Sequence, residues 1–74
     1  MKIALIGYGK MGKAIEEIAL AKGHEIVLKI SSKNIEEFTG ENVALADVAI
    51  EFTNPQTAVQ NIYKCVGAGV PCIS

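Results

Sequence analysis

Met1-Lys2-Ile3-Ala4-Leu5-Ile6-Gly7-Tyr8-Gly9-Lys10-Met11-Gly12 opens the chain, and the reading of this stretch decides the fold. Residues 2 to 6 form a short apolar run that stops at Gly7, as a strand buried on both faces does. From Met11 to Lys22, apolar side chains at Met11, Ala14, Ile15, Ile18 and Ala19 recur with helical spacing, while Lys13, Glu16, Glu17 and Lys22 fall mainly on the other side. Between strand and helix, Gly7, Gly9 and Gly12 match G-x-G-x-x-G. In isolation that pattern is weak, because the chain carries seven glycines. Following a strand and opening a helix, it becomes a dinucleotide-binding fingerprint. Gly7 permits the tight turn, Gly9 lets the backbone approach a pyrophosphate, and Gly12 lets the helix pack close to the strand. The N–H groups and dipole of the helix start then face an anion. The plainer alternative is a strand-to-helix turn whose glycines serve sterics alone.

The rest of the chain repeats this alternation. Gly23 closes the first helix, and Glu25 to Ile30 reads as a second strand rich in β-branched side chains. Ser31-Ser32-Lys33-Asn34 is a loop, Ile35 to Phe38 makes one helical turn, and Gly40-Glu41-Asn42 is expected to break it. Val48 to Phe52 is a third strand. Asn54 caps and Pro55 starts a second long helix, in which Ala58, Val59, Ile62, Tyr63 and Val66 are expected to face the core. Gly67 ends it, and Val70 to Ser74 reads as a fourth strand. Strands alternating with helices imply a parallel sheet with right-handed crossovers. The expected architecture is therefore α/β: a Rossmann-like, doubly wound parallel sheet, truncated to about four strands and two main helices. The whole of residues 1–74 is one partial NAD(P)-binding domain. A chain ending at a strand is expected to belong to a larger parent.

Composition narrows the functional classes. With 74 residues, half of them apolar, the chain is a single small globular domain of marginal stability by itself. Seven cations against eight acids leave a net charge of −1, which argues against a nucleic-acid partner. All seven cations are Lys, so a bound anion must be held by backbone N–H groups, hydroxyls or ammonium point charges and never by a bidentate guanidinium. No apolar run approaches the ~20 residues of a membrane span. Cys65 and Cys72 lack metal-ligand spacing and read as free thiols of a soluble, cytoplasmic protein; no metal site is expected.

The fingerprint normally continues, about 20 residues on, with an acid that bonds the adenosine ribose. That place is held by Ser31, followed by Ser32 and Lys33. An acid would repel a 2′-phosphate, whereas two hydroxyls and a lysine can accept one. The sequence leans toward NADPH, or toward tolerance of both NADPH and NADH; ordinary polar loop residues are the alternative. If the second and third strands flank the first, the ligand crevice opens between Gly7 and Glu51-Phe52-Thr53. Thr53 then lies near the cofactor and Phe52 can contact a ring, while Glu51 reads as structural.

Ile6 to Gly12, Asp47-Val48-Ala49-Ile50-Glu51-Phe52-Thr53 and Val70-Pro71-Cys72-Ile73-Ser74 together resemble the N-terminal part of the 4-hydroxy-tetrahydrodipicolinate (dihydrodipicolinate) reductase family, over almost the whole chain. That resemblance implies an oxidoreductase of diaminopimelate and lysine biosynthesis, which transfers hydride from a nicotinamide to a cyclic dicarboxylate. It implies that Gly7, Tyr8, Gly9, Lys10, Met11 and Gly12 hold the pyrophosphate, with Lys10 near the 2′-phosphate and Met11 on the adenosine side. Phe52 and Thr53 match the contact near the nicotinamide ribose. Three departures stand out: a glycine loop one residue shorter than the commoner form, Glu51 for the more usual Asp, and Ser31 for a ribose-binding acid. The family's Gly-Thr-Thr-Gly turn, His-His motif, lysine acid and substrate and tetramerisation domain are not in these residues. No catalytic residue is therefore assigned, and the chain by itself is expected to be inactive. Substrate and homo-oligomer partners belong to the full-length parent. An NAD(H)-sensing regulatory module and a half-domain without ligand are the alternatives.

Overall fold

A computed structural model describes residues 1–53 and 55–73, the side chain of Pro55 excepted. Its elements, in order, are β1 (Lys2–Ile6), α1 (Lys10–Ala21), β2 (Glu25–Ile30), a 3₁₀ turn (Ile35–Glu37), α2 (Gly40–Val43), β3 (Val48–Glu51), α3 (Pro55–Gly67) and β4 (Cys72–Ile73). The four strands are parallel and lie in the order β2-β1-β3-β4. The Rossmann-like reading therefore holds, including the placement of β2 and β3 on either side of β1. No helix among the described residues is long and apolar enough to cross a membrane.

Strand alternation sorts the core into two layers. Ile3 and Leu5 of β1 pack with Ala19 and Ile15 of α1 on one face. Ala4 and Ile6 point to the other, where Leu28, Ile30 and Ala49 meet Phe38, Val43 and Cys65. In register, Ile6 pairs with Glu51, which places that carboxylate on the α3 side of the sheet. The crossover through α1 leaves the sheet on one face and the later crossovers on the other. Strand order thus reverses between β1 and β3, and the crevice at their carboxyl ends is where a doubly wound sheet takes its ligand.

Three local expectations change. Gly40-Glu41-Asn42 does not break the chain but begins α2, because the Thr39 hydroxyl accepts the Asn42 N–H at 3.2 Å and caps the turn. The fourth strand shortens to Cys72–Ile73, the part that pairs with Ala49 and Ile50 of β3. On α3, Ala58 and Ile62 are half-buried as expected, but Val59, Tyr63 and Val66 are exposed, while Cys65 is buried and Asn61 half-buried. The side of the helix toward the sheet carries Ala58, Ile62 and Cys65 together with Asn61, whose amide donates to buried Glu51. The Asn54 cap and Ser74 lie outside the described residues.

Both cysteines are free thiols. Burial, with Cys72 alongside, pushes the Cys65 thiol up to about 12, and burial also raises that of Cys72.

Gly12 is the tightest contact between layers. A Cβ built there would lie 2.9 Å from Cζ of Phe52 and 3.2 Å from the Gly7 carbonyl oxygen. Gly12→Ala should lower stability by about 1–3 kcal/mol through overpacking, read as a shift in the denaturation midpoint, and Phe52→Leu should restore part of the loss. A neutral Gly12→Ala would show that α1 has room to move off the sheet.

Candidate functional site

The glycine loop turns away from β1 at Gly7, where φ is +101° and the N–H donates to the Ile30 carbonyl at 2.8 Å. A side chain is excluded there on both counts, since a Cβ would also stand 3.0 Å from Cγ2 of Thr53. Gly9 then precedes α1 with no side-chain cap, and no acid stands in the first turn. The first helical bond runs from Lys13 N–H to the Gly9 carbonyl, at 3.0 Å. Among the described residues, nothing accepts the N–H groups of Lys10, Met11 and Gly12. A Cβ placed on Gly9 would meet nothing within 4 Å. The helix start is thus an open cradle of unspent donors with the positive end of its dipole, suited to an anion.

That loop forms one end of a cleft of ≈ 550 Å³. Gly7 and Tyr8 border it, and Ile6 and Ile30 lie at the strand ends. Ser31, Ser32, Ile35 and Phe38 line one side; Thr53 and, on α3, Thr57, Gln60, Asn61 and Lys64 line the other. Its size, apolar base and few polar groups suit a nucleotide-sized ligand. Of the residues expected from sequence, Gly7, Tyr8, Ser31, Ser32 and Thr53 are brought together here. Gly9 and Gly12 belong to the adjoining loop and helix start but do not line it, and Lys10, Met11 and Lys33 are exposed and do not line it either. Phe52 packs under α1 against Gly12, among the residues of that core layer.

Two hydrogen-bond networks shape the walls. Tyr8 Oη donates to Glu16 Oε1 at 2.5 Å, and Lys29 Nζ reaches Glu16 Oε2 at 3.1 Å while lying 5.3 Å from the Tyr8 ring centroid. Loop, α1 and β2 are tied together by this cluster. On the β2 loop, Asn34 Oδ1 accepts from the Ser31 N–H at 2.7 Å and the Ser31 hydroxyl at 3.2 Å, and Asn34 Nδ2 donates to the Lys29 carbonyl at 2.7 Å. The Ser31 hydroxyl in turn accepts from the Lys33 N–H at 3.2 Å.

Opposite, the Thr53 hydroxyl donates to buried Glu51 and accepts from Thr57 at 2.9 Å and Asn61 at 3.1 Å. Lys64 Nζ donates to the Phe38 carbonyl at 3.0 Å and lies 4.5 Å from that ring's centroid, closing the far end. Sequence reading missed Asn61, Gln60 and Lys64. Their signal was present in the helical spacing of polar residues at 57, 60, 61 and 64, which reads as a solvated face unless Glu51 is known to be beneath it. Among the described residues no group of His, Cys, Asp and Glu is placed to hold a metal ion.

The chain was compared with known proteins. The family model described as dihydrodipicolinate reductase, N-terminus, matches residues 1–74. A 4-hydroxy-tetrahydrodipicolinate reductase of Christiangramia forsetii is 42% identical over 74 residues, taking in 100% of this chain and 30% of its own length. One of Staphylococcus saprophyticus is 44% identical over 62 residues, taking in 76% of this chain and 26% of its own length. The chain therefore spans less than a third of these relatives.

The Tyr8–Glu16 bond has a pH signature. The bond to Glu16 holds the Tyr8 phenol above its ordinary value, and the bonds from Tyr8 and then Lys29 hold the Glu16 carboxyl below the usual range. For Glu16, whose folded value is depressed, the stabilisation is present above the unfolded carboxylate range and is lost as pH falls through the folded value. For Tyr8, whose folded value is raised, it is present below the unfolded phenol range and lost as pH rises through the folded value. In a Tyr63→Phe background, tyrosinate absorbance should appear at a higher pH than for a free tyrosine, and Glu16→Gln should bring it back down. An unmoved titration curve in Glu16→Gln would show that the bond does not hold in solution.

Proposed function

The chain belongs to the dihydrodipicolinate reductase family, whose N-terminal region it matches throughout, and from that premise we propose that it is the nicotinamide-dinucleotide-binding part of such a reductase. The observation that carries this reading is the uncapped start of α1, preceded by an open Gly9, next to the Gly7 and Tyr8 that line a nucleotide-sized cleft. The N–H groups of Lys10, Met11 and Gly12 hold the pyrophosphate, and Ser31 and Ser32 meet the adenosine ribose. In the relatives' named activity, a reduction, the bound cofactor supplies a hydride. In the full-length protein the acceptor is a cyclic dicarboxylate, and the groups that bind and protonate it lie outside these 74 residues. The residues present bind and orient; they do not transfer protons to substrate.

Titration calorimetry with NADPH and NADH tests the reading, and Gly9→Ala sharpens it. The methyl group meets no protein atom and should hardly move the denaturation midpoint, yet it stands between backbone and pyrophosphate. Loss of one charge-assisted bond, worth about 1.5–3 kcal/mol, weakens binding roughly 10- to 100-fold. Unchanged affinity would mean that the loop is only a turn.

Cofactor choice follows from the lysines. Ser31 and Ser32 carry no charge that repels a 2′-phosphate, and Lys10 and Lys33, both exposed, are the lysines that would reach it. NADPH should bind at least as well as NADH at low salt. The advantage should shrink as ionic strength rises, because the Debye length is about 8 Å at physiological salt. Lys10→Ala with Lys33→Ala should abolish the advantage and leave NADH affinity nearly unaltered. Equal weakening of both cofactors would assign these lysines to the pyrophosphate instead.

A further inference from the structure

One wall of the cleft has its polarity set from beneath. Glu51 is 2% exposed, and its Oε2 accepts from the Thr53 N–H at 3.0 Å, from the Thr53 hydroxyl and from Asn61 Nδ2 at 3.0 Å. Asn61 Nδ2 also lies 3.1 Å from the Thr53 hydroxyl oxygen. A carboxylate oxygen that gathers three donors meets the NH₂ end of an amide and repels its carbonyl end. The Asn61 amide is therefore locked, with Oδ1 turned away from Glu51. Among the described residues nothing donates to that Oδ1, and no buried side-chain nitrogen or oxygen lacks a partner. The oxygen is accordingly accessible, on a residue that lines the cleft. Its neighbours on the same wall differ, for Lys64 offers only donors and the exposed Gln60 has no such clamp among the described residues.

This inference rests on reading the cleft as a dinucleotide site. With the pyrophosphate at the glycine loop and the ribose at Ser31, the next group along the cleft lies between Ile30 and Ile35 on one side and α3 on the other. A flat base can stack on the exposed Ile35 side chain with one edge turned toward Asn61. We propose that Asn61 Oδ1, oriented by buried Glu51, accepts a hydrogen bond from the exocyclic amine of a 6-aminopurine and so discriminates against a 6-oxopurine. A 6-oxo group would set acceptor against acceptor and leave the oriented carbonyl unpaired. Asn61 is a specificity-determining residue and Glu51 a positioning residue.

Titration of the chain with NADPH and with its hypoxanthine analogue reads this directly. The 6-amino form should bind about tenfold more tightly. In Asn61→Ala the ratio should fall toward one. In Glu51→Gln it should also fall, because the new amide can pair with Asn61 in either orientation and unlocks it. Equal affinity of the unaltered chain for the two dinucleotides overturns the inference, whatever the variants do. So does a ratio that persists while both affinities drop together in Asn61→Ala, since that marks a structural role only. Failure of either dinucleotide to bind overturns the cofactor reading and this inference with it, an outcome distinct from equal binding.

Discussion

The structure depends on how closely α1 can lie on the sheet at Gly12. With no side chain at that position, the helix start approaches the Gly7 carbonyl and the Phe52 ring at van der Waals distance. This contact fixes the direction of α1 and therefore the direction in which its first N–H groups point. It also ties the ends of β1 and β3 together across the reversal in strand order. Anion cradle and cleft are consequences of one steric allowance. A bulkier residue would spread the sheet and helix and leave the donors aimed at water.

The second constraint is electrostatic. Glu51 occupies a position that strand alternation makes interior, opposite Ile6 and under α3. A buried carboxylate demands donors, and Thr53 and Asn61 supply them. Asn61 is thus the polar member of an inward side otherwise made of Ala58, Ile62 and Cys65, and Val59, Tyr63 and Val66 are left exposed.

How much of this could be read from the sequence follows from the range of each interaction. The β1–α1 unit, the register of alternation and the site of the crevice are local or topological, and the glycine spacing with apolar periodicity disclosed them. The facing of α3 was legible only in part, because the apolar count along the helix picks out Ala58 and Ile62, which are half-buried, but also Val59, Tyr63 and Val66, which are exposed. The contact between residues ten apart, Glu51 and Asn61, puts on the inward side a polar residue that the apolar count passes over. The Tyr8–Glu16–Lys29 cluster escaped because its members are distant in sequence, Glu16 reading as the polar side of a helix and Tyr8 as part of the glycine loop. α2 was hidden because Gly40 looks like a terminator, and the cap that starts the helix comes from Thr39, which precedes it.

The buried thiol of Cys65 carries a further consequence. It lies on the sheet side of α3, sealed in the core layer, with its ionisation pushed far above neutral pH. A thiol-directed reagent needs both access and a thiolate, and the closed structure denies both. Reaction at Cys65 can therefore proceed only through openings in which α3 lifts from the sheet, and its rate is a clock for that local motion. The same helix carries Asn61 and Lys64, so the clock counts the excursions that dismantle one wall of the cleft.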